Sequence, residues 1–253
     1  MKKEIRIKNR KGKTIYAVME WKGKNPGPLV VLCHGLFGFV EKPVMRGTAG
    51  ELVMAGYTVV RFNATNGASE SRNSFIDFTV GGYIQDTKQI ISHVLRILGK
   101  KEYSIIGFSI GAMPAYIIAS SDKRMKCMVL QGPTYDLKYE QEREKMFSIL
   151  KRRGWVNMYS YGLKKNIKVG ILLYHEGIRY KVDQYLKKVI CPTLVIYGSN
   201  EYSGTQKKFI ELYRQLRCKK KRIILPNMPH TLISKKHINL FARETIKWLD
   251  KNI

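Results

Sequence analysis

One stretch, Tyr103-Ser-Ile-Ile-Gly-Phe-Ser109-Ile-Gly111, limits what this chain can fold into more than any other. It reads as a short apolar strand running straight into Gly-Phe-Ser-Ile-Gly, followed by an Ala-rich helical segment. The spacing has a mechanical reason. A serine on a sharp strand-to-helix turn needs glycines two before and two after it, so that neighbouring backbone can pass close without a Cβ clash. The turn pushes the hydroxyl out of the sheet, and the N–H groups opening the helix face any oxyanion that forms beside it. Gly and Ser are common, so the pentapeptide means little alone. Between a strand and a helix it predicts a presented nucleophile.

Two further segments complete the pattern, in a fixed order. Upstream, Leu29-Val-Val-Leu-Cys-His34-Gly35-Leu36-Phe37-Gly38 is an apolar strand ending in a His-Gly-x-x-Gly loop. Downstream, Pro192-Thr-Leu-Val-Ile-Tyr-Gly198-Ser-Asn-Glu201 is a strand followed by a turn carrying an acid, and Ile223-Ile-Leu-Pro-Asn-Met-Pro-His230 puts a histidine just after another strand. The chain order is Ser, acid, His. On these residues the whole chain resembles the α/β-hydrolase superfamily. The run from Phe62 to Ser71 after the fourth strand is most similar to small carboxylesterases of the cinnamoyl/feruloyl-esterase and monoacylglycerol-lipase type.

The resemblance implies a mostly parallel eight-stranded sheet with helices on both faces. The alternation of strands with helical segments predicts the same layering. A hairpin is expected over Lys2–Lys8 and Lys13–Trp21, with helices near Val44–Ala55 and Gly82–Leu98 and a closing amphipathic helix over Lys235–Lys251. In that last helix Ile238, Phe241, Ala242, Thr245, Ile246 and Leu249 share one face. The rhythm breaks between about Gly132 and Val189, where Asp136–Arg153 reads as helix. This 132–189 insertion after the sixth strand is read as a small lid on a single domain of residues 1–253, too poor in apolar residues to stand alone.

Composition excludes several classes. No apolar run approaches the ~20 residues that span a bilayer. The start, Met-Lys-Lys-Glu-Ile-Arg-Ile-Lys, lacks a signal-peptide core, so a cytoplasmic protein is expected. Cys33, Cys127, Cys191 and Cys218 form no Cys-x-x-Cys pair, and the five histidines show no metal-ligand spacing, so no metal or cofactor is expected. The net charge of +27 is the anomaly. With no nucleic-acid motif beside it, a solvated lysine-rich surface is the favoured reading, and a weak contact with an anionic membrane surface is the other. Denser patches lie at Lys151–Arg153, Lys187–Lys188 and Arg217–Arg222, the last including Lys219, Lys220 and Lys221.

The roles follow from the chemistry and the resemblance. Ser109 is the expected nucleophile, which needs a base to take its proton. His230 is the expected base, ahead of His34, His93, His175 and His237, because it follows the acid in the chain on a loop just after a strand, whereas His237 lies on a helix. Glu201 is the expected acid, although the superfamily usually has Asp in this turn; Asp136, after the sixth strand, is the alternative. The resemblance places the oxyanion donors at the N–H groups of Ile110 and of Leu36, with Phe37 as the alternative to Leu36. Tyr135, Tyr139, Trp155, Tyr159 and Tyr161 either line a substrate site or pack the lid. The expected substrate is a small-molecule carboxylic ester of small or medium acyl or aryl group. Monoacylglycerol, thioester and peptide substrates remain open, as does a non-catalytic protein binding an anionic partner.

Overall fold

A computed structural model describes residues 1–67, 74–135, 137, 144–160, 163–201 and 204–253. Eight strands form the central sheet: β1 (Lys2–Lys8), β2 (Thr14–Glu20), β3 (Leu29–Cys33), β4 (Thr58–Asn63), β6 (Tyr103–Phe108), β7 (Met125–Gln131), β10 (Thr193–Asn200) and β11 (Lys220–Pro229). Their order is β1-β2-β4-β3-β6-β7-β10-β11. From β4 to β11 every pair is parallel; β2 is antiparallel to both β1 and β4, so it alone runs against the rest.

The central strands are mostly apolar and buried because both faces of the sheet are covered. Side chains alternate between two cores. Val31, Cys33, Ile105, Met128, Val195 and Tyr197 join the core under helices α2 (Val80–Leu98) and α3 (Ala112–Ala119). Val30, Leu32, Ile106, Phe108, Leu194 and Ile196 join the other, under α1 (Pro43–Met54) and α8 (Lys235–Asn252). Thr79 opens α2 by accepting the Gly82 N–H, and Gly99 closes it in a left-handed conformation. On α8 the buried stripe is Ile238, Phe241, Ala242, Thr245, Trp248 and Leu249. Trp248 therefore takes the place expected for Ile246, which is only partly buried. Phe241 is fully buried with its ring 5.3 Å from that of Phe108, so this helix buttresses the residue just before Ser109. Truncating such a ring to alanine costs about 3–5 kcal/mol.

The segment between β7 and β10 departs from expectation. In the described residues helix α4 covers only Glu144–Arg153, and an antiparallel hairpin follows it, β8 (Trp155–Ser160) and β9 (Lys165–Gly170). The strand β5 (Ser74–Phe75) pairs in parallel with β9, giving a second, three-stranded sheet. The alternation Asn166-Ile167-Lys168-Val169 is the strand signal, with Ile167 and Val169 fully buried and Asn166 and Lys168 exposed. Short helices α5 (Ile171–Gly177) and α6 (Val182–Leu186) lead back to β10, and α7 (Thr205–Gln215) joins β10 to β11. Leu150, Ile167, Val169 and Leu173 belong to the same core as α2 and α3, so the insertion has no core of its own.

Lys220 is not the solvated residue that its neighbours Lys219 and Lys221 are. Its Nζ donates to the Tyr213, Arg214 and Leu216 carbonyls at 2.8, 3.3 and 2.6 Å, capping the C-terminal end of α7 where carbonyls lack helical partners. The ammonium also sits 4.7 Å from the Tyr213 ring centre.

Candidate active site

Ser109 follows β6 directly and starts a single 3-10 turn that leads into α3. Its φ is +50°, a strained conformation for a residue with a side chain, of the kind that persists where surrounding structure imposes it. The flanking glycines make the turn possible. A Cβ on Gly107 would lie 2.6 Å from the Gly111 carbonyl oxygen, and one on Gly111 would lie 2.3 Å from that of Cys33.

Three side chains from three loops meet there. Ser109 Oγ is 3.0 Å from His230 Nε2, and His230 Nδ1 is 2.6 Å from Glu201 Oε2. His230 lies at the end of β11 and Glu201 just past β10, so parallel pairing of these strands brings the two loops together. The Glu201 side chain is fully buried, whereas His230 keeps 19% of its surface exposed. Gln131 donates its amide to the His230 carbonyl at 3.2 Å, and Thr134 N–H donates to the Ser109 carbonyl at 3.1 Å. Asp136, the alternative acid, lies outside the described residues, as do Tyr139 and Tyr161.

Gly132 was not singled out from the sequence except as a boundary. It has φ +47°, and a Cβ there would sit 3.0 Å from His230 Nδ1 and 3.2 Å from Glu201 Oε1. Its place directly after an apolar strand was the only signal.

His34 does not join the Ser109 row. It is buried, with Nδ1 2.8 Å from the Gly35 carbonyl and Nε2 3.2 Å from the Ala64 N–H. The Ala64 donor makes Nε2 the acceptor, so Nδ1 carries the proton of a neutral ring. Burial pushes its pKa down to about 4. The ring stacks on Tyr83, 4.9 Å between centres, and Tyr83 Oη donates to the His34 carbonyl.

The Gly35 carbonyl also accepts the Gly38 N–H at 2.9 Å. Two donors thus draw that oxygen to one side, and in a trans peptide the Leu36 N–H points to the other. Gly35 itself packs beside Ser109, since a Cβ on it would lie 3.4 Å from the Ser109 Cβ. Phe37 has φ +61°, and its ring is buried edge-on against Phe75, 5.1 Å between centres. Phe75 pairs with Val169, so the loop beside Ser109 packs on a residue paired to the inserted hairpin.

A cavity of about 440 Å³ opens over Ser109 and His230. Its floor includes Leu36, Phe37 and Ile110; Met158, Tyr159, Leu173 and Tyr174 of the insertion close over it. Tyr135 and Tyr159 line the cavity. Trp155 does not, and instead takes the Lys168 ammonium 4.4 Å from its ring centre. Lys42 and Lys208, which the sequence did not mark, also line it. Among the described residues no group of His, Cys, Asp and Glu could hold a metal ion, and no helix is long and apolar enough to cross a membrane.

The pattern that describes the alpha/beta hydrolase fold matches residues 28–153. No curated protein matches this chain in sequence. Solved structures match its fold closely at low identity. Est1E from Butyrivibrio proteoclasticus, with ferulic acid bound, is 13% identical with a TM-score of 0.82 over 98% of each chain. The alpha/beta hydrolase GrgF from Penicillium sp. is 11% identical with a TM-score of 0.83, covering 100% of this chain and 99% of its own. A cold-adapted esterase from an Arctic intertidal metagenomic library is 15% identical with a TM-score of 0.70, covering 100% of this chain and 94% of its own. With its eight-stranded, mostly parallel sheet, helices on both faces and a Gly-x-Ser-x-Gly turn after β6, the chain has the α/β-hydrolase fold.

Proposed function

We propose that this protein is a serine hydrolase that cleaves carboxylic esters through an acyl-enzyme. The observation that carries the reading is the hydrogen-bonded row of Ser109, His230 and Glu201 at the base of the cavity. Ser109 Oγ attacks the ester carbonyl while His230 Nε2 takes its proton. The buried Glu201 carboxylate holds Nδ1–H, fixes the ring tautomer and stabilises the imidazolium as it forms. The N–H groups of Leu36 and Ile110 receive the oxyanion; losing one such donor typically costs about a hundredfold or more in rate. The turned-back Gly35 carbonyl supports Leu36 over Phe37 for the first of these. Collapse of the tetrahedral intermediate expels the alcohol, protonated by His230. Water, deprotonated by the same ring, then releases the acid.

The cavity's size and its aromatic lining, Tyr135, Tyr159, Tyr174 and Phe209, support small or medium acyl or aryl esters. The insertion acts as a lid over them. Ferulic acid bound to the similarly folded Est1E makes aryl esters the first class to assay.

The test is labelling by a fluorophosphonate probe, which modifies only an activated serine, alongside turnover of p-nitrophenyl esters. The wild type should be labelled and active, and Ser109→Ala should be folded, unlabelled and inactive. An unlabelled wild type, or a Ser109→Ala variant with wild-type turnover, would sink the mechanism.

A further inference from the structure

We propose that the ester substrate carries a carboxylate, which Lys42 binds inside the cavity; this rests on the ester-hydrolase reading above and specifies its substrate class. Lys42 is half-buried between the Gly35–Gly38 turn and α1, and it lines the same cavity as Ser109. Its Nζ donates one hydrogen bond, to the Phe37 carbonyl at 3.3 Å. An ammonium has three N–H donors, so two are left for a ligand.

Among the described residues no acid claims them. Glu41, the adjacent residue, is engaged elsewhere, with Oε1 3.0 Å from Arg61 Nη1 and Oε2 3.5 Å from Arg46 Nε. The Glu201 carboxylate is turned to His230. Among the described residues that line the cavity, none is Asp or Glu. Burial lowers the Lys42 pKa, which means that its charged form bears a desolvation cost, and no acid among the described residues offsets it. Lys208, the other cation of the lining, lies 5.4 Å from the Tyr135 ring centre and 3.6 Å from Glu211. It adds to the positive field but already has an acid beside it.

The position of Lys42 is held by the chain before it. The Val40 N–H donates to Asn63 Oδ1 at 2.8 Å, and its carbonyl accepts from the buried Arg61 at 2.6 Å. The ammonium is therefore presented from a clamped backbone, as a binding group should be. The remaining walls are mostly apolar, so field lines from the lysine are concentrated in the cavity and not spread through water. One half-buried ammonium with two free donors matches a monoanion. A wholly neutral ester would leave it buried without a counter-charge.

Two matched substrate pairs test this. Monomethyl and dimethyl adipate differ by a charge on the acyl side, and 4-acetoxybenzoate and its methyl ester by one on the alcohol side. In the wild type the anionic member of at least one pair should have the higher kcat/KM, by about tenfold or more. Lys42→Met should remove most of that preference, and Lys42→Arg should restore part of it. A purely structural part for Lys42, through Phe37, would lower both members of a pair together and leave their ratio where it was. A labelled, active enzyme with no anionic preference in either pair, or with a ratio unmoved by Lys42→Met, overturns this inference alone. An enzyme that the fluorophosphonate does not label overturns the hydrolase reading with it.

Discussion

Shortening, neutralising or removing the Glu201 carboxylate perturbs the site at one atom whose geometry is known. Oε2 lies 2.6 Å from His230 Nδ1, and the side chain is shut off from solvent. Glu201→Asp withdraws the carboxylate by about one C–C bond, ~1.5 Å. The contact then opens to about 4 Å, beyond hydrogen-bonding range. Glu201→Gln keeps the length but not the charge, and Glu201→Ala leaves Nδ1 with nothing to fix its tautomer. Removing the acid from such a row costs about 10⁴ in kcat. That is roughly 5.5 kcal/mol of transition-state stabilisation. We expect Ala and Gln to fall by about 10³–10⁴ in kcat, with KM shifted only a few-fold, because the acid does not touch the substrate. Asp should fall by about 10–100-fold, since a bridging water replaces the direct contact only in part. The assay is p-nitrophenyl ester turnover on variants whose melting temperatures show that they are folded. A Glu201→Ala variant keeping more than about a tenth of wild-type kcat would refute the reasoning, and a larger loss in Asp136→Ala would move the acid to that residue.

Three other outcomes follow from the same structure. Gly132→Ala places a methyl 3.0 Å from His230 Nδ1 at a φ of +47°. It should cost about 1–2 kcal/mol in stability and tenfold or more in kcat, and an unchanged kcat would show that the close approach is unimportant. His34 stays neutral in the fold down to about pH 4, while in the unfolded chain it gains a proton below about 6.5. The unfolded state therefore binds more protons between these values, so the contribution is complete above pH 6.5 and is lost as pH falls toward 4, by up to about 3 kcal/mol. Urea unfolding should show a shallower loss over that window in His34→Gln than in the wild type; equal slopes would contradict it. Lys220→Met should lower stability by about 1–2 kcal/mol through the lost α7 cap, whereas Lys221→Met should stay within about 0.5 kcal/mol. Equal melting temperatures for the two would mean that the cap contributes nothing.

The sequence carried the fold because the fold is written in local terms. The inner parallel strands are mostly apolar and buried, and the Gly107–Gly111 spacing admits few shapes. Order along the chain pointed to Ser109, Glu201 and His230 among many Ser, Glu and His residues, and the fold brings these three side chains into contact, since each follows the end of a strand of the central sheet. The inserted segment was less legible. Only the alternating pair Ile167 and Val169 in β9 marks it as a strand, and its pairing with β5 joins residues nearly a hundred positions apart.

What the tertiary structure alone decided concerns close approach and burial, which no single residue announces. Gly132 matters because His230 and Glu201 come from two other strands to lie against it. On α8 Trp248 is buried and Ile246 only partly so. Lys220 caps a helix and Lys42 faces the cavity, while many other lysines of this +27 chain are simply solvated; as letters they are identical. A charge acquires its meaning from the dielectric and the partners around it, and these exist only once distant segments have packed together.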